Sequence, residues 1–150
     1  MDTARRSRPT FIEQARRRQI IDATIIVLAA DGYRAATFAR VARQVDISPS
    51  LISYHFATKT TLMSDVVTHI IADMDTTITS EIGDTDSARV ALRALIESQV
   101  RYFAEHTDAV LALGHIGNSG DGAITAQLDR HRTASIAELE ELFTAGQQAG

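Results

Sequence analysis

The sequence predicts an all-α protein, and three observations carry the prediction. Apolar residues recur at three- and four-residue steps through most of the chain, no segment sustains the apolar–polar alternation of a strand, and Thr37 to Lys59 reads as two short helices around a four-residue turn. At 150 residues and 45% hydrophobic content, the chain can bury one compact core or a small module joined to a larger one. The absence of cysteine excludes disulfides, thiolate metal sites and cysteine nucleophiles. No apolar run approaches the roughly 20 residues of a membrane span, and no signal-peptide pattern opens the chain. We therefore expect a cytoplasmic protein with no membrane partner.

The first segment, residues 1–12, places Arg5, Arg6 and Arg8 in a stretch without an apolar residue between Ala4 and Phe11. It reads as a disordered basic arm, either a solubilising tail or an arm able to enter a DNA minor groove, where arginine is favoured. A long first helix follows. Arg16, Arg17 and Arg18 open it, and cations near a helix N-terminus oppose the macrodipole, so something other than helix stability favours them.

Thr37 is a hydroxyl cap, and Phe38, Val41, Ala42 and Val45 give the next helix one apolar face from about Phe38 to Val45. Asp46 tolerates a left-handed turn, Ile47 tucks beneath it, Ser48 caps the following helix and Pro49 takes its first position, where a missing N–H costs nothing. Ile47 and Ile52 have the spacing of a hydrophobic staple, and Phe56 continues the buried stripe. The opposite face carries Ser50 and Tyr54, flanked by Leu51 and Ser53, with His55 at its edge, nearer a phosphate than a base. With Thr37, Ser48 and Pro49 these form the candidate DNA-contacting set of a helix-turn-helix spanning residues 13–58. Lys59, the only lysine in the chain, follows a Thr58 cap at the start of the next helix, where its ammonium can reach a backbone phosphate.

Charge supports the same reading. Residues 1–59 carry ten Arg or Lys and five acids, net +5, whereas residues 60–150 carry five Arg and fourteen acids, net −9. A basic module suits a phosphate-bearing partner, and the acidic remainder would be repelled from it.

The order of Asp31-Gly32-Tyr33, Thr37, Ile47-Ser48, Tyr54-His55-Phe56, Lys59 and Leu62 resembles the TetR-type transcriptional regulators, over about residues 13 to 70. The resemblance implies an N-terminal three-helix DNA-binding domain followed by a helical ligand-binding and dimerisation domain. It further implies a ligand-responsive repressor on a double-stranded operator, a small-molecule effector, a phosphate contact from Lys59 and a homodimer. The chain departs from the family at Ser53, often aromatic there, and at its end, since two further C-terminal pairing helices are usual. The domain at 59–150 is therefore expected to be incomplete.

From Thr58, Leu62, Val66, Ile70, Met74 and Ile78 mark one long helix up to Gly83, a mechanical link between the two parts. Asp84 to Ser87 form a turn and cap, Val90 to Phe103 a further helix, Asp108 to His115 a short one, and Ile124 to Gly146 the last, after a GNSGDG loop at 117–122. Met74, Ile78, Phe103, Leu111, His115 and Asn118 are the candidate effector-lining residues, because they combine apolar and hydrogen-bonding surface. No cofactor or metal is expected: His69 and Asp73 share a helix face, but two ligands fall short of a site. No Ser-His-Asp order, phosphate loop or paired carboxylates appear, so an enzyme is not expected. The alternative function is a DNA-independent helical interaction module.

Overall fold

A computed structural model describes residues 10–82, 85 and 87–148. These form seven α-helices and no strand: α1 Phe11–Ala35, α2 Phe38–Gln44, α3 Pro49–His55, α4 Lys59–Ile82, α5 Ala88–Glu105, α6 Thr107–Gly117 and α7 Gly122–Gln148. Arg5, Arg6 and Arg8 lie outside the described residues, as do Gly83, Asp84 and Asp86 of the expected break and turn. None of the described helices is long and apolar enough to cross a membrane.

α1 starts earlier than the sequence reading placed it. Thr10 caps it in a capping box, its hydroxyl accepting from Glu13 N–H and the Glu13 carboxylate accepting from Thr10 N–H at 2.7 Å. Phe11 and Ile12 therefore belong to the helix and not to an arm ending at residue 12. Arg16, Arg17 and Arg18 then sit beyond its first turn, where the macrodipole has faded. They answer instead to neighbours: Arg18 pairs with Asp22 at 3.0 Å, and Arg17 reaches across to α3 and α4.

Near its end α1 kinks at Gly32, whose φ of 79° and ψ of 175° only glycine holds without strain. The kink turns Tyr33 toward α4 and the α6–α7 loop. Thr37 caps α2 through Arg40 N–H, and Asp46, with φ of 53°, makes the left-handed residue of the turn between α2 and α3. Ile47 N–H closes that turn onto the Ala42 carbonyl at 3.0 Å. Ser48 caps α3 through Leu51 N–H with Pro49 next to it, and Thr58 caps α4 through Thr61 N–H at 3.1 Å.

One apolar core runs through the molecule. Ile20, Val27 and Leu28 of α1, Val41 of α2, Ile52 and Phe56 around α3, Leu62, Met63, Val66 and Val67 of α4, Ala112 and Ile116 of α6, and Ile124 of α7 are all buried within it. α1 packs most extensively against α6 and also touches α2 and α4, while α4 lies along α5. The core thus continues across residue 58, joining the helix-turn-helix to the helices behind it.

Gly32→Ala is expected to destabilise the fold by about 1–3 kcal/mol, because a Cβ strains this backbone conformation. Its Cβ would meet the His115 ring only at 3.6 Å, so backbone conformation and not collision is the cause. Urea denaturation followed by helical circular dichroism measures the loss.

Candidate nucleic-acid interface

α3 owes its orientation to what lies behind it. Ile52 and Phe56 are fully buried, and the Arg17 guanidinium donates to the His55 carbonyl and to Asp65 of α4 while lying 4.3 Å over the Phe56 ring. The last turn of α3 is therefore fixed to α1 and α4 by one planar, multi-donor group. Sequence reasoning missed this tie because its partners are 38 and 48 residues away.

The outer side is open. Pro49, Ser50, Ser53 and Tyr54 are exposed, Tyr54 at 72%, while Leu51 and His55 are half-buried. Several hydroxyls are already engaged within the helix: Ser48 caps it and lies 2.9 Å from Ser50 Oγ, and Ser53 donates to the Pro49 carbonyl at 3.2 Å. Tyr54 is the largest projecting group, its hydroxyl 3.4 Å from Glu13 and its ring edge-on to His55. Burial, then the charge of Arg17, holds His55 below the ordinary histidine pKa and so favours its neutral form.

Thr37 is exposed at the start of α2. Lys59 is more constrained than its sequence position suggests. Its amine donates to the Tyr33 carbonyl and sits 4.2 Å over the Tyr33 ring, and burial lowers its pKa. Arg43, absent from the sequence-derived set, is exposed at the end of α2 and makes no ion pair among the described residues. Its position in the last turn before Asp46 was the available signal. Arg40 is instead held by Asp31 at 2.8 Å and by Gln44.

The six residues proposed to line an effector site do not converge. Met74 and Ile78 border a cavity of about 290 Å³ between α4, α5 and α7, completed by Leu95, Gln99, Leu139 and Leu142 among others. His115 and Asn118 face a separate hollow beside Gly32 and Tyr33, and Phe103 and Leu111 are exposed. The reason is that α6 docks on α1, which carries Leu111, His115 and Asn118 away from the α4–α5–α7 cavity. His69 and Asp73 also turn to different partners: His69 Nε2 lies 3.8 Å from Asp22, and Asp73 accepts from the Tyr102 hydroxyl at 2.9 Å.

A carboxylate joins the two halves. Asp121, in the loop before α7, accepts from Thr60 of α4 at 2.9 Å, from the Tyr33 hydroxyl at 3.2 Å and from Ala123 N–H in the first turn of α7. The Thr60 hydrogen bond is the main cause that lowers its pKa.

An exposed, polar helix face on a helix-turn-helix, backed by a larger acidic helical bundle, defines the class of the N-terminal module as helix-turn-helix. Residues 20–66 match the family model described as bacterial regulatory proteins, tetR family. Over that segment, which holds α2, α3 and the start of α4, the chain is similar to the DNA-binding part of that family. It is 29% identical over 100 residues to the HTH-type transcriptional regulator BetI of Brucella anthropi, covering 65% of this chain and 52% of that protein. Against BetI of Paraburkholderia phymatum it is 31% identical over 86 residues, covering 57% and 44%. The chain thus spans about half the length of these relatives. Among solved structures, a TetR-family regulator from Rhodococcus sp. superposes with a TM-score of 0.79 at 24% identity, over 91% of this chain and 73% of that one. A transcriptional regulator from Saccharomonospora viridis, solved in complex with choline, gives 0.79 at 18% identity, over 91% and 72%.

Two outcomes check the electrostatics. Arg17→Ala should cost about 1–3 kcal/mol in urea denaturation, since a carbonyl and a carboxylate lose a charged donor. Burial first, then Arg18, lowers the His69 pKa, while Asp22 and Asp73 oppose the shift. A lowered folded-state pKa means that the unfolded chain binds the proton more readily, so this stabilisation is present above the ordinary value of 6.5 and lost as pH falls through the folded value. His69→Gln should accordingly lose less thermal stability than the parent when pH is taken from neutral to about 5.

Proposed function

We propose that the chain is a sequence-specific, DNA-binding transcriptional regulator, a ligand-responsive repressor that works as a homodimer in the cytoplasm. The observation that carries this reading is α3, clamped from behind by Ile52, Phe56 and Arg17 while Pro49, Ser50, Ser53 and Tyr54 remain exposed. Such a helix is preorganised to enter a major groove, with Tyr54, Ser50 and Leu51 reaching bases and Thr37, Ser48, Ser53, His55 and Lys59 near the backbone. The net +5 of residues 1–59 supports phosphate contact, to which Arg43 and the arm residues Arg5, Arg6 and Arg8 add.

The effector is assigned to the cavity beside Met74 and Ile78, whose walls of Leu95, Leu139 and Leu142 suit an apolar body and whose Gln99 and Ser135 suit a polar end. Occupancy there would displace α4 or α7, and Asp121 would pass the displacement to Tyr33 and Thr60. Such a ligand lowers operator affinity only by favouring the conformation in which paired recognition helices no longer match their half-sites. Pairing is supported by exposed Ile96, Val100 and Phe103, at successive turns of α5, and by Ile136 and Phe143 of α7. The same apolar surface would serve a DNA-independent interaction module, which is the competing reading.

Fluorescence anisotropy on duplexes tiled across the chain's own upstream region tests the proposal. Saturable binding to one duplex that persists at moderate salt is expected, with a scrambled duplex bound far more weakly. Tyr54→Ala should weaken that binding by about tenfold or more without lowering the melting temperature. Choline, the ligand of the Saccharomonospora viridis protein, is the first effector to titrate into the complex. Equal affinity for the scrambled duplex, or an unchanged Kd in Tyr54→Ala, would favour the interaction module instead.

A further inference from the structure

A second cavity, sharing no lining residue with the one beside Met74, lies where α1 meets α4 and the junction of α5 and α6. Its volume is about 440 Å³, within the roughly 300–1,000 Å³ of small-molecule sites. Four helices each contribute a carboxylate to its lining: Asp22 from α1, Asp73 from α4, Glu105 from the last turn of α5 and Asp108 from the first turn of α6.

The compensating charge within the lining is small. Arg18 is the single guanidinium there, and it is committed to Asp22 through Nε at 3.0 and 3.2 Å. His69 is held toward its neutral form by burial. Asp73 has only the Tyr102 hydroxyl, a neutral donor, while Glu105 and Asp108 have no ion pair or hydrogen bond among the described residues. The lining therefore carries more negative than positive charge, next to apolar walls formed by Ile25 and Ile70 and a Tyr102–His106 ring stack at 4.1 Å.

We propose that this cleft binds a small organic cation, an ammonium group carried on an apolar body. A bare metal ion does not meet the same requirement, because no three His, Asp or Glu side chains among the described residues converge closely enough to hold one. An ammonium on a hydrocarbon body can place its charge beside Asp73 or Asp108 and cover Ile25 and the exposed Ile26 with its chain. Since Asp22 and Asp73 belong to α1 and α4, such an occupant bridges the helix that supports the recognition helix and the helix that leads into the effector domain. The site needs neither DNA nor the effector cavity to be occupied.

Isothermal titration calorimetry of the whole chain with n-hexylammonium, n-hexanol and n-hexanoate tests it, the three probes differing in charge at nearly constant shape. Saturable binding of hexylammonium is expected, with hexanol and hexanoate weaker by at least about tenfold. Asp73→Asn and Asp108→Asn should each weaken hexylammonium severalfold, whereas Met74→Ala in the other cavity should leave it unchanged. Asp108 is exposed, so its variant keeps the test valid if Asp73→Asn lowers the helical circular dichroism. No binding of hexylammonium, equal binding of hexanol, affinity unchanged in both carboxamide variants, or loss in Met74→Ala would each overturn the proposal. Operator binding measured separately distinguishes that failure from a failure of the regulator reading.

Discussion

The burial of α1 from several sides is the constraint on which the rest of this fold depends. Ile20, Val27 and Leu28 are fully buried among residues of α2, α4 and α6, so a single 25-residue helix is core to the helix-turn-helix and to the helices behind it. A seven-residue helix has little stability of its own in water. α2 and α3 persist because α1 and α4 give Val41, Ile52 and Phe56 something to bury against. Arg17 adds direction to this apolar support, since its donors fix the C-terminal turn of α3 while the shared core fixes its distance.

Polar groups at the same junction are nearly all satisfied, and among the described residues no buried side-chain nitrogen or oxygen lacks a partner. Lys59, Tyr33, Thr60 and Asp121 form one connected set: an amine on a carbonyl and a ring, and a carboxylate receiving two hydroxyls. Tyr33 is kept protonated by burial and by the neighbouring Asp121 charge, so it remains a donor. Such a set resists partial rearrangement, because moving one member leaves another unpaired at a half-buried position.

The helix-turn-helix was legible in the sequence because its signals are local. Thr37, Ser48 with Pro49, Asp46 and the spacing of Ile47, Ile52 and Phe56 each act within a few residues, and the structure places caps, turn and buried stripe accordingly. Thr10 with Glu13 was an equally local signal, and it accounts for the earlier start of α1. Which of the six candidate lining residues share a cavity was not legible, because a 3.6-residue period reveals which face of a helix is apolar but not which helix that face meets. Leu111 and His115 follow α6 onto α1, whereas Leu95, Leu139 and Leu142 meet across α5 and α7. Arg17 and Asp121 escaped for a related reason: their partners are distant in the chain, so nothing local shows what each of them holds.

The placement of Asp121 also gives α7 a mechanical character. With 27 residues this helix is about 40 Å long, and its first turn is tethered to Tyr33 and Thr60 while its far half borders the cavity beside Met74 and Ile78. A rigid rod pinned at one end turns about the pin, so a tilt that shifts Leu142 by several ångströms moves the tethered end very little in distance but fully in angle. What such a tilt delivers to the half that carries α3 is therefore rotation and not translation. A carboxylate grasped by two hydroxyls from different helices reports an angle well, because rotating its plane weakens one hydrogen bond before the other.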